Sequence, residues 1–152
     1  MKKISRYTAL AAVALSAMMM ACSVDFETSD NGHLDGYWHM TAIDTIATGG
    51  IRDLSHERLF WAFQSNLLDI CNVDNTMYHY LLRFNRRPDS LLLSEPCFYD
   101  RMNPAGDVPL SSPDSLRPFG INHLNQGFRV LHIGSGTMML SSDSLIISFK
   151  KL

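Results

Sequence analysis

The clearest alternation in the chain runs from Tyr78 to Asn85, with Tyr78, Tyr80, Leu82 and Phe84 on one face and His79, Leu81, Arg83 and Asn85 on the other. A period of two is the mark of a strand that can put one side in a core and the other in water. An earlier stretch follows the same rule. Gly36 ends a polar lead-in, after which Trp38, Met40 and Ala42 share one face and Tyr37, His39 and Thr41 the other, in a strand that can extend to Ile46. A large aromatic just after a glycine suits the end of a closed sheet, since glycine lets a neighbouring backbone approach while the indole covers the core. As a plain core residue Trp38 is equally inside.

Other segments of strand length follow. Leu59-Phe60-Trp61-Ala62-Phe63 is apolar, aromatic and too short for a typical helix, and predicts a strand from about Glu57 to Gln64. Leu67 to Cys71 is another short apolar run, and Asn72 to Asn75 is a turn cluster. Gly49-Gly50 marks a turn, and Arg52 to Arg58 reads as polar loop. Arg86 to Ser90 leads into Leu91-Leu92-Leu93, and Ser141 to Ser144 leads into a strand from Leu145 to Lys150. Gly127 to Ile133 and Thr137 to Leu140 are two more strands, joined by Gly134-Ser135-Gly136. With no convincing long amphipathic helix, about eight short strands predict an all-β antiparallel meander, closed as a barrel or folded as a sandwich. The exception is Pro96 to Gln126, a proline-rich connection of a length uncommon in a compact domain. It is expected either to act as a lid or to contain a short further element, and Arg117-Pro118-Phe119-Gly120-Ile121 is the piece expected to dock on the barrel.

The N-terminus carries an address rather than fold. Lys2, Lys3 and Arg6 precede an apolar run from Ala9 to Ala21 that is too short to span a bilayer, the pattern of a secretory signal peptide over residues 1–21. The run ends Met19-Met20-Ala21-Cys22, which resembles a bacterial lipobox, with Met19 in place of the usual leucine. That resemblance implies lipidation of Cys22 and anchoring in the cell envelope, at the outer membrane on its periplasmic or surface face. Acyl chains would hold the chain there, at about 0.8 kcal/mol per buried methylene. Residues 22–33 are polar and acidic and read as a flexible tether, leaving 34–152 as the folded domain. Cleavage would remove three of the thirteen Lys and Arg and none of the fifteen Asp and Glu, for a formal charge of −5. A nucleic-acid partner is therefore not expected, since a basic patch is its footprint.

Taken together, the lipobox, the acidic tether, the Asp35-Gly36-Tyr37-Trp38 opening and the final pair of strands resemble the lipocalin-like, calycin-type lipoproteins of Bacteroidetes, a group that includes domains of unknown function. Gly36 and Trp38 match the glycine-any-tryptophan motif of the lipocalin first strand, while no threonine-aspartate-tyrosine motif lies between Ile133 and Thr137. The resemblance implies an up-and-down barrel of about eight strands. It also implies a basic residue packed over Trp38, for which Lys150, Lys151 and Arg129 are the candidates. Ligand binding in such a barrel would draw on Trp38, Tyr78, Tyr80 and Phe84, and the ligand would be small and apolar or amphipathic. The alternative is a non-catalytic structural or interaction module with a filled barrel, binding a protein or glycan on its outer surface.

The chain shows no nucleophile elbow, phosphate loop or dinucleotide fingerprint, so no enzymatic activity and no cofactor are expected. The six histidines never fall at His-x-His or His-x-x-x-His spacing, and no metal site is expected. Cys71 and Cys97 would lie on strands separated by a third, two strand spacings or roughly 9 to 10 Å apart, beyond the reach of about 7 Å for a disulfide. They are expected as free thiols.

Overall fold

Segments rich in leucine, β-branched and aromatic residues pair into one antiparallel sheet, in a computed structural model that describes residues 29–74, 76–100 and 102–152. The expected leader over 1–21, the lipidation position Cys22 and the tether as far as residue 28 lie outside the described residues. The strands are β1 (Gly36–Thr45), β2 (Gly50–Asp53), β3 (Leu59–Gln64), β4 (Leu67–Asn72), β5 (Tyr80–Arg86), β6 (Ser90–Phe98), β7 (Val108–Pro109), β8 (Gln126–Ile133), β9 (Thr137–Ser141) and β10 (Leu145–Lys151). Around the sheet the order is β1, β3, β4, β5, β6, β8, β9, β10, and β10 pairs back onto β1, so eight strands close an up-and-down barrel. Closure removes the two open edges that a meander would otherwise present to solvent. The strands β2 and β7 are additions, paired to the far half of β1 and to the end of β6.

Three bulges bend the wall, and two of them explain where the alternation rule fails. On β1, Met40 pairs with Phe149 but Ala42 with Ser148, leaving Thr41 as an extra residue. The bulge flips the parity of the strand. Trp38 and Met40 point inward as expected, but the next buried residue is Ile43, and Ala42 is only half-buried. On β6, Leu81 faces Cys97 and Arg83 faces Ser94, so Glu95 and Pro96 together oppose Leu82. Glu95 takes a positive φ of 51°, and Pro96, which has no N–H to give a ladder, is accommodated at the irregularity. The strand therefore runs through Pro96 to Phe98 instead of ending there. The third bulge leaves Leu131 of β8 unpaired between Val130 and His132.

The stretch read as polar loop from Arg52 begins inside β2, which pairs backbone to backbone with Ala42–Thr45. All four of its residues are exposed, so neither face carries an apolar signal. Similarly, β5 starts at Tyr80, two residues later than the alternation suggests. Cys71 and Cys97 are free. Leu81 of β5 faces Cys97 on one side and Asp69 on the other, which sets Cys71 both two strands and two residues away from Cys97. Burial pushes the Cys71 thiol up to about 11, with the nearby Asp69 carboxylate adding to the effect.

The long connection contains β7 and a 3-10 helix, Asp114–Phe119. Gly120 ends that helix in the left-handed conformation (φ 79°), its N–H donating to the Arg117 carbonyl. A Cβ at Gly120 would lie 2.4 Å from Cδ1 of Ile147. Gly120→Ala therefore combines backbone strain with overpacking of the core, and is expected to lower unfolding free energy by about 2 kcal/mol or more in urea melts.

Candidate functional site: the barrel interior and its two ends

One end of the barrel is closed by the start of the chain. A 3-10 helix, Gly32–Leu34, brings the buried Leu34 beneath the sheet, and the Trp38 indole Nε1 donates to the Leu34 carbonyl at 2.7 Å. Over the other side of the indole lies Lys151, its Nζ 4.9 Å from the ring centroid and donating to the His33 carbonyl at 2.8 Å. Of the three basic candidates it is Lys151 that packs over Trp38, because Trp38 and Lys151 are register partners across the β1–β10 seam. Gly36 takes a φ of 110° and its Cβ position is only 3.1 Å from Cε of Lys151, so a side chain there would push the lysine off the ring. Lys151→Met keeps the stem but removes the charge, and should lower stability by roughly 1 kcal/mol in chemical denaturation, through loss of the cation–π contact and the hydrogen bond. The loss should shrink in a Trp38→Leu background.

The interior is aromatic. Trp61 sits among Phe63, Phe128 and Phe149 with ring centroids 6.1, 5.8 and 5.1 Å away, and Phe63 meets Phe84 edge-on at 5.2 Å. Leu68, Ile70, Leu82, Leu91, Leu93, Met138 and Leu140 are among the other inward-facing residues, all buried. Met138 faces in while Met139 is partly exposed, as alternation on a strand requires. The Trp61 Nε1 is buried with no hydrogen-bond partner. Such a donor costs about 1 to 3 kcal/mol if nothing accepts from it.

The opposite end is stoppered by the 3-10 helix of the long connection. Phe119 is fully buried and edge-on to Tyr80 at 6.1 Å, and Leu116 and Ile121 are buried beside it. Gly120 comes against Ile147 and Ile43, which pair across the seam at this end of β1. The Arg117–Ile121 piece thus docks as expected. It forms a plug rather than an outer flap.

Of the expected lining residues, Trp38, Tyr80 and Phe84 are buried and face inward, Trp38 towards the end closed by Leu34 and Tyr80 towards the end closed by Phe119. Tyr78 lies before the start of β5, is 73% exposed, and stacks edge-on against Phe98 at 5.5 Å. Cys22 lies outside the described residues. Trp61, Phe63, Phe128, Phe149 and Phe119 make up most of the aromatic interior without having been singled out. Trp61 and Phe63 alternate with the outward Phe60 and Ala62, a signal that was readable, whereas Phe119 is seated only by the tertiary fold. His39 lies on the outer face, stacked on Phe60 with its Nε2 2.7 Å from the Glu57 carbonyl oxygen. Among the described residues no three His, Cys, Asp or Glu side chains are placed to hold a metal ion.

Comparison with known proteins agrees with this architecture. A lipocalin-like protein from Bacteroides uniformis superposes with a TM-score of 0.60 at 15% identity, covering 80% of this chain and 100% of that one. An uncharacterized protein from Bacteroides eggerthii gives 0.54 at 13% identity, covering 78% and 99%. A protein from Burkholderia xenovorans gives 0.50 at 14% identity, over 78% and 82%. At these identities the likeness is one of fold. No curated protein matches the chain. Residues 17–152, nearly the whole sequence, match the family described as lipocalin-like domain. The fold and that match agree, and the chain belongs to the lipocalin-like domain family.

Proposed function

We propose that the protein is a lipid-anchored, non-catalytic binding protein of the cell envelope, held at the outer membrane through Cys22, whose barrel takes a small apolar or amphipathic ligand when the Asp114–Ile121 plug moves aside. The observation that carries this reading is the plug itself. Leu116, Phe119 and Ile121 fill one end of the barrel with apolar surface, yet they belong to no barrel strand, so they can leave without breaking a strand pairing. The space they vacate is apolar, and the unpartnered Trp61 N–H is a donor for the polar group of an amphipathic ligand. Lipocalin-like barrels are consistent with a small hydrophobic ligand.

Native mass spectrometry of the protein purified from the membranes of its own host tests the reading. A bound apolar molecule is expected, lost on Phe119→Trp, which overfills the plug site. A consistently empty protein would contradict it. Cys22→Ala should release unlipidated protein from the membrane, and fatty-acid label retained by that variant would contradict the anchor.

A second reading is favoured by a different observation: the inward-facing Trp61, Phe63, Phe84, Phe128 and Phe149 are already packed against one another. On that reading the barrel is solid and serves as a structural or interaction module that binds a protein or glycan on its outside. It predicts an empty protein in the same measurement.

A further inference from the structure

The charges of the barrel are sorted by end. At the plug end the cations are matched: Arg52 pairs with Glu57 at 2.9 Å, Arg58 with Asp74 at 3.0 Å and Arg117 with Asp114 at 3.1 Å. Further carboxylates lie on the same half, Asp44 and Asp53 on the β1–β2 pair and Asp107 just before β7. At the opposite end, where the chain enters the barrel, the arginines and lysines pair with no carboxylate among the described residues. Two of them hold the entry segment, Arg86 donating to the Asn31 carbonyl and Lys151 to that of His33. Three others are exposed and left over. Arg87 follows Arg86 into the β5–β6 turn, Arg129 faces Ser90 at the start of β6, and Lys150 faces Thr137 beside the β8–β9 turn. The carboxylates of this end are Asp30, Asp35 and Asp89, and Asp35 is already held by Ser29 and Asn31. A chain with more carboxylates than cations overall thus carries a positive end.

Apolar side chains stand exposed among these cations. Leu92 on β6, Leu131 on β8 and Met139 on β9 are 49%, 44% and 39% exposed. Leu92 faces Gly127, which has no side chain to cover it, and Leu131 is the residue that the β8 bulge leaves unpaired. The same end receives the chain from its N-terminus. Asn31 donates to the Ser65 carbonyl in the β3–β4 turn, and Cys22 precedes Ser29 by seven residues, a stretch that spans at most about 25 Å when fully extended.

We propose that the entry end and the adjoining flank of β6, β8, β9 and β10 dock on an anionic phospholipid bilayer, with Arg87, Arg129 and Lys150 among the headgroup phosphates and Leu92, Leu131 and Met139 at the acyl boundary. The inference rests on the Cys22 anchor for the nearness of a bilayer, and adds which end faces it. The plug then points into water, and a ligand reaches it from the aqueous side. A soluble polyanion would match the cations but leave the three apolar side chains in water, whereas a charged bilayer surface meets both.

The lipidated full chain in nanodiscs whose headgroups carry a spin label tests the orientation. With phosphatidylglycerol in the disc, the methyl resonances of Leu92, Leu131 and Met139 are expected to broaden, while those of Ile46, Ile51 and Val108, equally exposed but at the plug end, stay sharp. High salt should relieve the broadening. Reversing the charges together, in Arg87→Glu with Arg129→Glu and Lys150→Glu, should lower the docked population by roughly tenfold or more, and Arg58→Glu at the other end should leave it unchanged. Broadening at Ile46 and Ile51 instead, equal broadening in discs of phosphatidylcholine alone, an unaffected triple variant, or heparin shifting the same methyls as strongly as the charged discs do would each overturn the proposal. The anchor fails separately, as a mass showing Cys22 without acyl chains. Docking is then read with free phosphatidylglycerol vesicles carrying the same label, where the same methyls must broaden for the proposal to stand.

Discussion

Phe119→Ala is expected to lower unfolding free energy by about 3 to 5 kcal/mol, the usual range for truncating a fully buried phenylalanine, and to open the end of the barrel at the same time. Phe119 is completely buried and packs edge-on to Tyr80, so its removal leaves a hole at the place where the lumen meets solvent. A cavity in a closed core merely weakens a protein, whereas one at a barrel end also admits small molecules. The variant should therefore show both a lower urea midpoint and, while still folded, stronger acrylamide quenching of tryptophan emission than wild type. The two tryptophans are both fully buried in the native chain, which makes the readout sensitive. A loss of stability without any gain in quenching would mean that the hole collapses.

Trp38→Ala should be at least as damaging, and for a different reason. The truncation removes a fully buried indole, at about 3 to 5 kcal/mol, and also strips the Leu34 carbonyl of its donor and Lys151 of the ring beneath it, adding about 1 kcal/mol or more. Because Leu34, Trp38 and Lys151 tie the start of the chain to its last strand, the loss should appear as early exchange of the Lys151 and Leu152 amides, which are bonded to Gly136 and Tyr37. Those amides should remain protected in Phe119→Ala. If both variants loosened the same amides, the two ends would not be independent closures.

How much of this was readable in the sequence varied with how local the cause was. The walls were legible wherever one face is buried: Tyr80, Leu82 and Phe84 alternate cleanly, and so do Trp38 and Met40. Alternation failed where a bulge inserts a residue, which is why Ile43 and not Ala42 reaches the core, and why β6 continues through Pro96. It also failed for β2, which is exposed on both faces and pairs through backbone alone. The pairing of Lys151 with Trp38 follows from barrel closure, a contact between the two ends of the chain that no local pattern encodes. Legibility of the interior was likewise divided. The aromatic content of Leu59–Phe63 pointed inward, but the meeting of Trp61 with Phe128 and Phe149 depends on strands far apart in sequence. The docking piece around Phe119 stood out as apolar within a polar connection, although its position at the barrel end did not.

Native-state hydrogen exchange tests most directly whether the plug is a separable gate. The amides of Leu116, Gly120 and Ile121 are bonded within the plug to Pro113, Arg117 and Leu116, while those of Met40 and Phe149 belong to the β1–β10 seam. If the plug can leave while the barrel stays closed, the first group exchanges through a smaller opening with little denaturant dependence, and the seam exchanges only with global unfolding. Equal opening free energies and equal denaturant slopes for the two groups would mean that plug and barrel unfold as one unit, and would contradict a gated lumen.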